Sequence, residues 1–186
     1  MLRNECWGKL VYWLLAIGFV CAAPAAHAKV FSSRQEAITL AFPTAERIES
    51  RTVTLTEDQA RRVAAFATTQ VDSKLVTFYT GYKDASVIGY AFLDTRIIRT
   101  MPGTFLITLS PTGAVQKVMT VAFYEPEDYL PEERWLRQFE QKTLTTDLQV
   151  HKGIRGIAGA TLSSQGVTNA IRQALAIFQV VVQGEP

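Results

Sequence analysis

Residues 156–182, GIAGATLSSQGVTNAIRQALAIFQVVV, join a loop of small residues directly to a run of apolar residues at helical spacing. Apolar side chains at three- and four-residue intervals lie on one face of an α-helix. Here they are Val167, Ala170, Ile171, Ala174, Leu175, Phe178 and Val182. This helix is the clearest predicted element of the chain. It is also the last element, and the order of all the elements predicts the fold class.

Upstream of this helix, the centre of the chain is rich in predicted strands. They cover residues 74–82, 87–93, 103–109 and 114–124. Residues 83–86 form the turn between the first two strands. Pro111 and Gly113 lie between the last two, in places where a tight turn favours Pro and Gly. Because the connections are short, we expect the strands to pair antiparallel.

Three short helices and one further strand complete the prediction. The helices cover residues 33–42, 56–68 and 131–136, and the strand covers residues 46–55. Ser32 or Ser33 caps the first helix, and Pro131 takes the first helical position of the third. The second helix is expected to bury Val63 together with Phe66 or Ala67. The predicted fold class is α+β, an antiparallel sheet with flanking helices, and 186 residues suggest one domain.

The first residues have the pattern of an export signal. Arg3 and Lys9 precede an apolar run over residues 10–23, and Ala26-His27-Ala28 supplies an A-x-A cleavage site. The apolar run is shorter than the roughly 20 residues that a membrane-spanning helix needs. We therefore expect residues 1–28 to be a signal peptide and residues 29–186 to form a domain in the periplasm. A retained N-terminal anchor, which keeps the protein membrane-associated, is the alternative.

Composition excludes several kinds of site. The net charge is +2 and the basic residues are scattered, so nothing favours a nucleic-acid partner. Both cysteines, Cys6 and Cys21, precede the cleavage position, and His151 is the one histidine after it. Without thiolates or a second imidazole, a zinc, haem or iron–sulfur site is not expected. Any redox chemistry therefore requires an organic cofactor.

The small-residue loop before the last helix suits an anionic ligand. Gly156, Gly159 and Ala160 let a ligand approach the backbone closely. Thr161, together with Ser163 and Ser164, lies where the first amides of the helix lack partners, and such a helix start favours phosphate. The alternative is that these hydroxyl residues only cap the helix.

Gly159-Ala160-Thr161 resembles the end of the flavinylation motif of the FMN-binding domain family. That motif reads Asp, two variable residues, Ser or Thr, then Gly-Ala-Thr, and its Thr carries FMN through a phosphoester installed by a flavin transferase that uses FAD. The resemblance implies FMN on Thr161, supported by residues around it. The residues implied as cofactor-binding beside Thr161 are Gly159, Ala160, Leu162, Ser163 and Ser164.

The chain departs from that motif at two positions. Arg155 stands where the family has Asp, and Ala158 stands where it has Ser or Thr. The Arg implies slower attachment or a specialised transferase. It also leaves open a noncovalent FMN, with Arg155 pairing to the phosphate.

The resemblance extends over residues 75–182. Glu125 and Pro126 stand where relatives carry a Glu-Thr-Pro-Gly loop near the isoalloxazine, and Tyr129 follows that loop. Aromatic faces suit a flavin, so Tyr124, Tyr129 and Trp135 are candidates to line it, with ordinary packing as the alternative for each. Arg96, Arg99 and Lys152 are candidates for the phosphate or ribityl chain, although exposed surface charge is the simpler interpretation.

The function implied by the resemblance is electron transfer by a periplasmic FMN protein. The cofactor supplies the chemistry, so no catalytic residue and no metal is expected in the chain. The implied partners are a flavin transferase for maturation and membrane or periplasmic redox proteins. Two alternatives remain open: a noncovalent FMN-binding regulatory module, and a periplasmic flavin-dependent reductase.

Overall fold

The computed structural model describes residues 29–71 and 73–184. The predicted signal peptide, residues 1–28, lies outside the described residues. Among the residues that are described, no helix combines the length and the apolar character needed to cross a bilayer.

A six-stranded antiparallel sheet forms the centre of the described chain, in the spatial order β1-β6-β5-β4-β3-β2. The strands are β1 Lys29–Val30, β2 Arg47–Thr54, β3 Leu75–Lys83, β4 Ser86–Ile97, β5 Pro102–Leu109 and β6 Val115–Phe123. From β2 to β6 every neighbour in the chain is also a neighbour in the sheet, although the connection from β2 to β3 contains a helix at Glu57–Ala67. The predicted α+β class with an antiparallel sheet is confirmed.

Four α-helices flank this sheet in the described residues: α1 Arg34–Ala41, α2 Glu57–Ala67, α3 Glu133–Leu136 and α4 Thr161–Ile177. Ser33 and Thr56 each begin a capping box, with Glu36 and Gln59 completing the two boxes. Each pair satisfies two amides that a helix start leaves without partners. A 3₁₀ turn continues α3, and a turn of π-helix continues α4.

The two faces of the sheet bury two separate clusters. The larger cluster lies under α2 and α4, and the smaller lies under α1. Phe92 of β4 belongs to the first cluster and Ala91 to the second, as expected for neighbours whose side chains leave opposite faces of a strand. The helix α4 buries the face that the apolar spacing predicted, including Val167, Ile171 and Leu175.

Three details differ from the prediction. Strand β4 continues to Ile97 rather than ending at Leu93, because Asp94 and Arg96 neutralise each other with contacts of 2.6 and 2.7 Å and stay in the ladder with β5. The predicted place of Pro131 at the first helical position is wrong, since α3 begins at Glu133. Strand β1 was not predicted, because two residues are too few to show an alternating pattern.

A buried guanidinium joins α4 to two other segments. Arg172 is 3% exposed and donates to the carbonyl oxygens of Phe66 at 3.0 Å and Ala67 at 2.8 Å, in the last turn of α2. It also donates to Thr145 at 2.9 Å and Leu148 at 3.1 Å. Carbonyls at a helix end lack intrahelical partners and carry the negative end of the helix dipole, so a cation suits them.

We expect Arg172→Met to lower the free energy of unfolding by about 3 kcal/mol or more. The substitution removes the charged donor from four carbonyls. Those of Ala67 and Thr145 keep a hydrogen bond from the Thr68 hydroxyl and the Leu148 amide. Those of Phe66 and Leu148 lose their donor, and each unsatisfied group costs about 1–3 kcal/mol. Urea denaturation monitored by circular dichroism measures the change. Arg51→Met is the matched control, because Arg51 is exposed on the edge strand β2, and a surface change there is expected to cost about 0.5 kcal/mol or less. Equal stability of the two variants would contradict this role of Arg172.

Candidate functional site

Side chains of the α3 region hold the loop before α4 by its backbone. The amide of Arg155 donates to Oε1 of Gln138 at 2.9 Å, and its carbonyl accepts from Nε1 of Trp135 at 2.6 Å. Trp135 in turn packs edge-on against Phe139, with ring centroids 5.3 Å apart. Trp135 therefore fixes the start of the loop, while the Arg155 side chain is exposed.

The side chain of Ser164 also holds this loop, through two hydrogen bonds to its backbone. Its hydroxyl accepts from the amide of Ile157 at 2.8 Å and donates to the carbonyl of Ala160 at 3.1 Å. Gly159 bends the loop with φ of +76°, a left-handed conformation that favours glycine. Ser164 is fully buried, so its hydroxyl organises the loop. Its predicted contact with a cofactor stays a prediction.

The first turn of α4 has no side-chain cap. Ala160 occupies the N-cap position, and Thr161 is the first helical residue. The first amide of this turn to reach a backbone carbonyl is that of Ser164, which donates to Ala160 at 3.1 Å. The amides of Thr161, Leu162 and Ser163 have no partner within the described part of the chain. The alternative in which these hydroxyl residues cap the helix is therefore wrong, and three amide donors remain available to an anion.

A cavity of about 360 Å³ opens beside this helix start. We call it the Glu125 cavity, and it is lined by Ile98, Arg99, Glu125, Tyr129 and residues 159–163. It brings together seven of the predicted cofactor-binding residues from two distant parts of the sequence: Glu125, Tyr129, Gly159, Ala160, Thr161, Leu162 and Ser163. Pro126, which was also predicted, is exposed and does not line the cavity.

Thr161 and Ser163 present hydroxyl groups to the Glu125 cavity. The Thr161 side chain is exposed and makes no hydrogen bond to any described residue. Ser163 is only 2% exposed, yet its hydroxyl also has no hydrogen-bond partner among the described residues. Among the described residues, the one side-chain polar atom that is enclosed without a partner is the Thr120 hydroxyl, so the Ser163 oxygen keeps some solvent access and is available to a ligand.

On the opposite wall, Glu125 holds the loop between β4 and β5. It is 3% exposed, and its Oε1 accepts from the amides of Arg99 at 3.1 Å, Thr100 at 2.6 Å and Met101 at 2.7 Å. Burial raises the pKa of the Glu125 carboxyl, but these backbone donors outweigh burial and leave the pKa below its ordinary value. Glu125 is therefore an anion that stabilises a turn of the backbone, a role that its place in the sequence did not reveal.

Arg99 extends from that same turn. Its Nη1 donates to the hydroxyl of Tyr129 at 3.0 Å, and the guanidinium carbon lies 5.3 Å from the centre of the Tyr129 ring. No carboxylate forms an ion pair with Arg99 within the described residues. Arg99 is exposed, as its interpretation as surface charge expects, but its guanidinium is also held against an aromatic ring at the edge of the cavity.

Two further cavities adjoin the loop. The first, of about 470 Å³, contains Thr161 with His151, Lys152 and Arg155, and we call it the basic cavity. The second, of about 840 Å³, contains Trp135 and Arg155 together with acidic side chains of residues 127–132, and we call it the Trp135 cavity. Thr161 thus borders both the Glu125 cavity and the basic cavity.

Not every candidate reaches the site. The guanidinium of Arg96 is committed to Asp94 and lies 3.3 Å from Oε1 of Gln173. Tyr124 lines none of the three cavities that border the loop. No group of three or more His, Cys, Asp or Glu side chains arranged to hold a metal ion occurs in residues 29–71 and 73–184.

One glycine lets α4 approach the opposite wall. A Cβ atom on Gly166 would lie 2.7 Å from Cδ1 of Ile98, closer than packed carbon atoms come. Gly166 therefore brings the first turns of α4 against the end of β4. This contact sets the width of the Glu125 cavity, because Ile98 lines it and Thr161 begins the helix.

Comparison with known proteins agrees with this geometry. Residues 99–176 match the model of a family described as the FMN-binding domain, which indicates FMN as the cofactor. The matched region begins at Arg99, contains Glu125 and Tyr129, and includes nearly the whole of α4. No curated protein matches the chain.

The residues of the Glu125 cavity fit the phosphate of that cofactor. Three amides without partners, the Ser163 hydroxyl and the Arg99 guanidinium are all donors suited to a phosphate. The Leu162 side chain, 48% exposed, and the Tyr129 ring add apolar surface beside these donors. The donor set is therefore that of a site for a phosphorylated, partly apolar ligand.

We expect Glu125→Gln to destabilise the protein by about 1 kcal/mol at neutral pH, because hydrogen bonds to a charged acceptor are stronger than those to a neutral one. The lowered pKa means that the Glu125 carboxylate contributes stability above its ordinary pKa and that this contribution is lost as pH falls through the folded-state value. The difference between wild type and variant should therefore shrink below about pH 4.

Urea denaturation at several pH values between about 7 and 3 measures this dependence. Glu140→Gln is the control, because Glu140 is exposed and makes no side-chain hydrogen bond or ion pair in the described structure. A difference between wild type and Glu125→Gln that stays constant across this range would contradict the role of the charge.

Proposed function

We propose that this chain, which over residues 99–176 belongs to the FMN-binding domain family, is a periplasmic electron-transfer protein that carries FMN joined through its phosphate to Thr161. The observation that carries this proposal is the helix start at Thr161. There an exposed hydroxyl without a partner stands beside three amides without partners, at the edge of a cavity that contains Arg99. A phosphate on Thr161 would be stabilised where it forms.

FMN, when bound, supplies the redox chemistry by accepting and releasing electrons. The chain holds and surrounds it. Thr161, Ser163 and Arg99 would hold the phosphate, while Tyr129 and Leu162 offer apolar surface to the rest of the molecule. Glu125 holds the loop of residues 98–101 between β4 and β5, and its carboxylate is a negative charge beside the site. A fixed negative charge disfavours adding electrons nearby, so Glu125 would lower the reduction potential.

Attachment requires a transferase and FAD. Oγ1 of Thr161 attacks the phosphorus of FAD that belongs to its FMN half, and the bond from this phosphorus to the bridging oxygen breaks. AMP leaves with that oxygen, the hydroxyl proton is released, and no electrons are exchanged. The exposed position of Thr161 gives a transferase access to the hydroxyl. A protein that carries its cofactor covalently keeps it in a compartment where free FMN diffuses away.

The proposed location rests on the sequence of residues 1–28. Their charged start, apolar run and A-x-A site have the pattern of an export signal. The absence of cysteine after residue 28 is compatible with an oxidising compartment, where free thiols would be oxidised. Periplasmic or membrane redox proteins would then be the donors and acceptors of electrons.

Two other functions each have one supporting observation. The Arg155 side chain, in the basic cavity beside Thr161, supports a regulatory module that binds FMN without a covalent bond. The Trp135 cavity of about 840 Å³ supports a flavin-dependent reductase, since it offers room for a small acceptor beside the same loop. Steady turnover with one small acceptor would favour the reductase over the carrier.

We expect Thr161→Val to abolish covalent flavin without unfolding the protein. Valine keeps the shape of threonine but has no hydroxyl to attack phosphorus, and at an exposed position the change should cost about 0.5 kcal/mol or less. The protein is produced together with a flavin transferase in exported form. Intact mass and flavin fluorescence in a denaturing gel then report the bond.

Thr54→Val is the matched control, because Thr54 is an exposed threonine at the end of β2, remote in sequence from the matched region. It should stay fluorescent after denaturation, and Thr161→Ser should recover part of the label because serine restores a hydroxyl. Wild-type protein that is yellow but loses its flavin on denaturation would favour the noncovalent module. Label on Thr161→Val would place the bond on another residue.

A further inference from the structure

We propose that Arg99 positions the phosphate of the flavin and makes the site select FMN over riboflavin, which lacks the phosphate. This inference rests on the proposed FMN site and adds a residue to it. Arg99 lines the Glu125 cavity together with Thr161 and Ser163, although 62 positions separate Arg99 from Thr161 in the chain. The three residues therefore place a cation and two hydroxyl groups around one volume.

The Arg99 side chain is organised before any ligand binds. Its backbone amide is held by Glu125 at 3.1 Å, its Nη1 donates to Tyr129 at 3.0 Å, and its guanidinium lies over the Tyr129 ring. An arginine fixed by stacking and one hydrogen bond loses little conformational freedom when it binds a second group. Its remaining N–H groups are free to donate to a phosphate in the paired geometry that arginine favours.

The charge of Arg99 is not cancelled by a neighbouring side chain. Arg96, the other arginine at this end of β4, is paired with Asp94. The carboxylate of Glu125 lines the same cavity, but its Oε1 accepts three backbone amides and forms no ion pair with Arg99. Arg99 has no ion pair with a described residue. The Glu125 cavity thus keeps a positive charge available for an anion.

Arg155 and Lys152 are the competing cations. Both line the basic cavity on the other side of Thr161, and neither side chain has a hydrogen bond or ring contact with a described residue. Ser163, whose hydroxyl has no partner among the described residues, lines the Glu125 cavity and does not line the basic cavity. The observations therefore favour Arg99 over Arg155 as the partner of the phosphate. Arg155 is in turn the natural matched control.

The test uses the chain produced without a flavin transferase, so that Thr161 keeps its hydroxyl, and titrates it separately with FMN and with riboflavin by flavin fluorescence. We expect wild type to bind FMN at least about tenfold more tightly than riboflavin, because riboflavin has no phosphate to form a charge-assisted pair with Arg99. Arg99→Gln should remove most of this preference and leave riboflavin affinity unchanged. Arg99→Lys should keep part of it, and Arg155→Gln should keep all of it.

A second measurement uses protein loaded covalently by the transferase. Steady-state anisotropy of the bound flavin should fall in Arg99→Gln, because the phosphate arm loses its fixed partner, and should stay at the wild-type value in Arg155→Gln. This readout reports how firmly the flavin is held and does not depend on redox activity. It also applies if the free flavins bind too weakly for titration.

Each other outcome overturns a different claim. If Arg99→Gln lowered the affinity for FMN and for riboflavin equally, Arg99 would stabilise the cavity rather than bind the phosphate. Loss of the FMN preference in Arg155→Gln alone would place the phosphate in the basic cavity. Wild-type protein that binds neither flavin and takes no covalent label would contradict the proposed function itself, and the role of Arg99 would fall with it.

Discussion

The position of the candidate site depends on the buried guanidinium of Arg172. It joins the last turn of α2, the segment at residues 145–148 and the middle of α4 through four carbonyl oxygens. The segment that leads into the site begins just after Leu148, whose carbonyl accepts from Arg172, and it ends at α4, the helix that carries Arg172. If Arg172 were paired with one carboxylate, it would join α4 to a single segment. Because its planar guanidinium has five N–H donors, it joins three segments at once.

Glu125, which lines the Glu125 cavity, is also a buried charge that the backbone satisfies, but with the opposite sign. Glu125 is a buried anion stabilised by backbone amides, just as Arg172 is a buried cation stabilised by backbone carbonyls. Neither uses an oppositely charged side chain. Because Glu125 is satisfied by backbone amides, it forms no ion pair with Arg99, which lines the same cavity.

The sequence predicted what local rules control and missed what depends on tertiary contacts. Capping by Ser33, the turn at Gly113 and the apolar face of α4 follow from spacing and residue type, and the structure has all three. Arg172 is a charged residue on the buried side of α4. No local rule says which distant carbonyls surround it. Arg99 and Arg96 are alike in sequence. Only the fold shows that Asp94 neutralises one while Tyr129 orients the other.

The start of α4 lacks the local stability that a capping side chain provides. With Ala160 at the N-cap, α4 lacks a cap that serine or threonine there would provide, worth about 1 kcal/mol. Moving the hydroxyl one residue later, to Thr161, leaves it unused by the helix. The first two helices of the same chain have full capping boxes, whereas α3 and α4 have no side-chain cap. An uncapped start with three open amides is unfavourable in the empty protein. It becomes favourable when an anion binds, because the phosphate then supplies the acceptors that a cap would have supplied.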